Sequence, residues 1–196
     1  MNKKGEISNS FLALLVVVAI AVSLAGFFMP TKMTGRATDT GQLTGTLQST
    51  TAINFTDDAI AFGDVAVPEG LESCEINTES FTNCTATAPS NGFTVENIGN
   101  ENVTLDLATG KDAAVLIGGT SPIYQYKATN KEAGSCDGIP SGYQNVNITS
   151  PGTRICTKFY KDSGNDEIYL NVRLVIPSDA PAHSASDTFT ATATAI

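Results

Sequence analysis

Two rhythms of apolar and polar residues divide the chain. Between residues 11 and 29 (FLALLVVVAIAVSLAGFFM) only Ser23 and Gly26 interrupt the apolar side chains. A helix of that length rises roughly 28 Å at about 1.5 Å per residue, close to a bilayer's hydrocarbon core. The run predicts one long N-terminal hydrophobic α-helix over residues 6–29, ended by Pro30, which removes a backbone donor. Residues 1–5 precede it as a basic leader carrying Lys3 and Lys4. Residues 30–51 are rich in Thr and Gly, the composition of an extended stem, in which QLTGTLQ adds at most an edge strand.

From residue 52 to 196 the alternation has period two, the signature of half-buried strands. In GFTVENIGNENVTLDL, Phe93, Val95, Val103, Leu105 and Leu107 point one way, while Thr94, Glu96, Thr104 and Asp106 point the other. With Ile98-Gly99-Asn100-Glu101 as the reversal, this stretch predicts a β-hairpin with one buried face. TRICTKFY, turned by residues 162–166 into EIYLNVRLVI, predicts a second hairpin whose long strand presents Ile168, Leu170, Val172, Leu174 and Ile176 to the core. AINFTDDAIAFGDVAV, AAVLIGG, PIYQYKAT, YQNVNITS and DTFTATATAI supply further strands. Eight or nine strands at even spacing, punctuated by Gly, Pro and Asn, predict an antiparallel β-sandwich domain over 52–196.

Composition narrows the function. The formal net charge is −9, and the 11 Lys and Arg are scattered, which excludes a nucleic-acid-binding face. Four cysteines fall in two local couples, Cys74 with Cys84 and Cys136 with Cys156, neither with the CxxC spacing of a zinc or redox site. An even count behind a targeting segment fits two disulfides made outside the cell. Sequence alone leaves three connectivities open, of which nearest-neighbour pairing is the preferred one.

Four Asn-Xaa-Thr sequons, at Asn54, Asn83, Asn102 and Asn147, are candidate N-glycosylation sites, Asn102 being favoured for its place beside a turn. Other chemistry is sparse. His183 is the sole histidine, so histidine-rich zinc cages are out of reach. Ser184 and Asp179 lie near it, but PSDAPAHSASD reads as a loop and no GxSxG elbow is present. Adjacent Asp57 and Asp58 would face opposite sides of a strand. Asp162, Asn165, Asp166 and Glu167 offer oxygen ligands for calcium without EF-hand spacing. The sequence therefore predicts no enzyme, no cofactor and no metal.

Lys4-Gly5-Glu6-Ile7, placed directly before the apolar run, resembles the class III leader of archaeal type IV pilins and archaellins. The resemblance implies cleavage between Gly5 and Glu6 by a prepilin-type peptidase, with the hydrophobic segment kept on the mature chain. It also implies a protein inserted in the membrane before assembly and packed against copies of itself afterwards. Bacterial type IV pilins carry a glutamate five residues after the cut; here Ser10 stands there and Glu6 opens the mature chain. INFTDDAIAFG, the central FTVENIGNENVTLDL and the terminal DTFTATATAI resemble secreted immunoglobulin-like sandwiches, including TasA-type fibre proteins and archaeal filament heads.

The expectation is a structural subunit of a cell-surface filament, an immunoglobulin-like β-sandwich preceded by one long hydrophobic helix. Two alternatives stay open. Cleavage near Ala25 would give a TasA-like fibre joined by strand exchange through residues 42–48. An uncleaved chain would be a monomeric, membrane-anchored binding module.

Overall fold

The computed structural model describes residues 49–86 and 91–196, whose period-two segments form eleven strands in two antiparallel sheets. One sheet holds seven strands: β1 (Asn54–Asp57), β2 (Ser73–Asn77), β3 (Phe81–Thr82), β4 (Phe93–Glu96), β6 (Ile123–Asn130), β8 (Gln144–Asn145) and β10 (Glu167–Pro177). The other runs β11-β5-β9-β7, from β5 (Val103–Thr109), β7 (Cys136–Asp137), β9 (Thr153–Phe159) and β11 (Phe189–Ala195). Their inner faces enclose one core. Val95, Tyr126, Ile168 and Leu170 from the first sheet meet Val103, Leu105, Leu107, Ile155 and Phe159 from the second.

β10 organises the larger sheet. One of its edges pairs with β6 from Ile168 to Val175. The other edge is shared, with β4 opposite residues 167–170 and β2 opposite residues 173–177. Asn171 sits at the seam and is almost buried, although the sequence places it on the outer face of the strand. Thr78 Oγ1 donates to its Oδ1 at 2.8 Å and its amide donates to Glu79 Oε1 at 3.2 Å, so the buried group is satisfied. Gly92 closes the seam, because a Cβ there would stand 2.6 Å from the Leu170 carbonyl oxygen.

Both expected hairpins are corrected. β4 lies in the seven-stranded sheet and β5 in the four-stranded one; likewise β9 and β10 belong to different sheets. Each pair is a crossover between layers. The apolar residues are buried as their alternation requires, but they face one another across the core. A hairpin and a crossover bury the same set, so the pattern cannot tell them apart. Polar contacts inside the crossovers fix the second arrangement. Asn97 is 1 % exposed, and its Nδ2 donates to the carbonyls of Glu101 (3.1 Å) and Phe159 (3.2 Å). Its own N–H donates to Asp166 O at 2.9 Å, stitching one crossover to the other.

AAVLIGG is also corrected, since it forms a four-residue helix, α1 (Ala113–Leu116), rather than a strand. Asp112 caps it by accepting from Val115 N–H at 2.8 Å, and Gly118 and Gly119 stop the chain with positive φ. The expected fold class is corrected as a whole. The described structure is mainly β in two sheets, with no helix of seven residues or more, so an immunoglobulin-like sandwich behind one long hydrophobic helix does not describe it. Among the described residues no helix is long and apolar enough to cross a membrane. The leader 1–5, the segment 6–29 and the stem up to residue 48 lie outside the described residues.

Candidate functional site

The cysteines join as Cys74–Cys84 and Cys136–Cys156, with Cα separations of 4.9 and 5.5 Å. The first ties β2 to the segment after β3, and the second ties β7 to β9 inside the core. Both brace the periphery of a sheet and neither leaves a reactive thiol.

The other candidate side chains are spread apart. His183 Nδ1 lies 2.8 Å from Pro181 O and Nε2 lies 3.0 Å from Leu116 O, so the ring straps the 178–188 loop to α1. Asp179 turns away to Thr120, accepting from its N–H (2.9 Å) and its hydroxyl (2.6 Å), and these donors hold its carboxyl below the ordinary range. Ser184, His183 and Asp179 therefore form no hydrogen-bonded relay. The acidic turn is equally divided. Asp162 pairs with Lys161, Glu167 with Lys131, and Asp166 N–H donates to Glu132 Oε2 at 2.8 Å. Burial, and next the charge of Glu132, push the Asp166 carboxyl up. Among the described residues no three His, Cys, Asp or Glu side chains gather to hold a metal ion.

The sequons differ sharply. Asn54 is exposed on β1. Asn83 has φ of 57° and adjoins the disulfide-bonded Cys84. Asn102 Oδ1 accepts from Lys161 N–H at 3.2 Å, and Asn147 Oδ1 accepts from Thr149 N–H at 2.9 Å. The candidate cleavage residues Gly5 and Glu6 lie outside the described residues.

One recess opens between the sheets where β1 ends and β11 begins. It measures about 210 Å³ and is lined by Phe55, Phe93 and Phe189, with Asp58, Asp187 and Thr188 beside them. Phe55 packs edge to face on Phe93 at 5.6 Å between centroids, and Phe93 meets Phe189 in a tilted pair at 5.0 Å. Tyr124 donates its hydroxyl to Asp187 Oδ2 at 3.1 Å. Burial, then the charge and hydrogen bond of Asp187, push that phenol well above its ordinary range. Gly110 allows the approach, since a Cβ there would meet Asp187 Oδ1 at 2.8 Å. The lining suits a small cationic or apolar group better than an anion, but the volume is below the roughly 300 Å³ at which ligand sites usually begin.

Sequence reading missed two features. Asp187 and Phe55 are far apart in the chain and nothing local marks them as neighbours, while Asn97 looks like any turn asparagine. Comparison with protein families, with curated proteins and with solved structures found no match to this chain.

Proposed function

We propose that this chain is the structural subunit of an extracellular surface filament of the archaeal type IV pilin-like kind. The observation that carries the reading is the Lys4-Gly5-Glu6-Ile7 motif directly before the apolar run 11–29, followed by a β body braced by two disulfides. A segment so apolar finds shelter first in a bilayer and then among copies of itself, because exposure to water is what it cannot sustain. The disulfides fit an oxidising exterior. A prepilin-type peptidase cutting after Gly5 frees the subunit for assembly, and the β body faces outward as the filament's surface.

Mass spectrometry of the mature N-terminus, taken from shed surface material, tests the reading together with negative-stain electron microscopy. The expected result is a chain that begins at Glu6 and forms threads. A chain that begins downstream of Met29 and stays dispersed would refute it.

A further inference from the structure

We infer that Asn54 is the position at which this chain takes an N-linked glycan. The inference rests on the export assumed above, though not on filament formation. Asn54 and Thr56 are both exposed on β1, Thr56 standing where the register against β4 shifts between Phe55 and Asp57. Phe55 between them turns inward against Phe93. Neither Asn54 nor Thr56 enters a side-chain hydrogen bond in the described structure, and among the described strands β1 pairs only with β4. The two side chains that a transferase must read are thus both exposed and unengaged.

Each competitor is compromised. Asn102 is half-buried, with its amide oxygen on Lys161 N–H and its carbonyl on Ile196 N–H. The hydroxyl of Thr104, the third residue of that sequon, is itself engaged on Thr194 O at 3.3 Å. Asn147 is half-buried too, its side chain folded onto Thr149 N–H and its carbonyl accepting from Thr109 N–H at 3.0 Å. Asn83 is exposed, but its left-handed backbone and the neighbouring disulfide fix the sequon in a shape that cannot be straightened.

The donor is an oligosaccharide carried on a polyprenyl phosphate lipid. Asn54 Nδ2 forms a bond to the anomeric carbon of the first sugar while the bond from that carbon to the lipid phosphate oxygen breaks. The phosphate leaves with the electron pair, and the proton lost from Nδ2 passes to a base of the transferase. The product is a hydrated cover over β1, the edge of the described seven-stranded sheet.

Protein recovered from the producing cells, reduced and cut at glutamate, tests the inference. Cleavage after Glu69, Glu79, Glu96 and Glu101 places Asn54, Asn83 and Asn102 on separate peptides, and Asn147 falls between Glu132 and Glu167. The expected result is a sugar mass on the Asn54 peptide that disappears in Asn54→Gln. A bare Asn54 peptide, with or without sugar at another sequon, overturns the inference. If that bare chain comes from filaments, only the glycan assignment falls; if it is retained inside the cell, the proposed function falls with it.

Discussion

Asn97 holds its crossover from three sides. Its amide donates to Glu101 O and Phe159 O, and its Oδ1 accepts from Gly99 N–H at 3.1 Å. Removing the side chain takes a donor from both carbonyls and the acceptor from Gly99 N–H, so the desolvation of these groups is less well offset. Asn97→Ala should therefore destabilise the body by about 2–3 kcal/mol, read as a lower urea midpoint at unchanged slope. A midpoint that does not move would show that water replaces the amide at no cost. Asp166 argues in the opposite direction. Its carboxyl is pushed up in the folded state by burial and by Glu132, so folding favours its protonated form. The stability it contributes is present below the unfolded pKa and is lost as pH rises through the folded one. Asp166→Asn should accordingly be more stable than the parent near neutrality, with the gap closing in acid. Thermal midpoints measured across that range check the sign, and a gap that widens in acid would contradict it.

Strand faces were legible in the sequence, whereas strand partners were not. The alternation in 92–107 and in 167–176 puts Val95, Val103, Leu105, Ile168 and Leu170 in the core, and all five are fully buried. What alternation cannot encode is the layer to which each strand goes, because period two specifies a side and never a neighbour. β2 was illegible for another reason. SCEIN has only Cys74 and Ile76 as apolar members, and its place beside β10 is supported by Arg173 reaching Glu75 at 2.7 Å. The recess stayed hidden because Phe55, Phe93 and Phe189 meet only after both sheets form. Contacts between elements also set demands that composition conceals. Gly152 has φ of 107°, and a Cβ there would run into the Leu107 carbonyl, so the loop before β9 seats against β5 only through glycine. Gly152→Ala combines backbone strain with that collision and should cost about 2 kcal/mol or more. Calorimetry decides the point, since a thermal midpoint equal to the parent's would mean that the loop moves aside freely.

Taken whole, the molecule separates its charges. Of the 20 acidic residues only Glu6 and Asp39 precede residue 48, whereas Lys3, Lys4, Lys32 and Arg36 are four of the 11 basic ones. The body is thus strongly acidic, and its cations are already engaged: Lys127, Lys131, Arg154, Lys161 and Arg173 in ion pairs, Lys111 on Ser186 O, and Lys158 over the Tyr160 ring. Two bodies repel at low salt and approach more closely as salt screens them. The place at which they would then meet is β11, which has no charge, no proline and an unbroken register with β5. Its hydrogen bonds fix which backbone groups the β5 ladder uses. Ile196 N–H and Thr188 O both bond toward the β5 side, so the even positions face β5, and the backbone groups of Phe189, Ala191, Ala193 and Ala195 point away from it, to the edge of the described sheet. Proline tests this parity residue by residue. Ala193→Pro removes an outward N–H and should leave the thermal midpoint nearly unchanged while abolishing salt-promoted association in light scattering. Thr192→Pro removes a ladder hydrogen bond to β5 and should lower the midpoint sharply. Equal damage from both substitutions would reverse the assigned parity, and association undiminished in Ala193→Pro would move the contact away from β11.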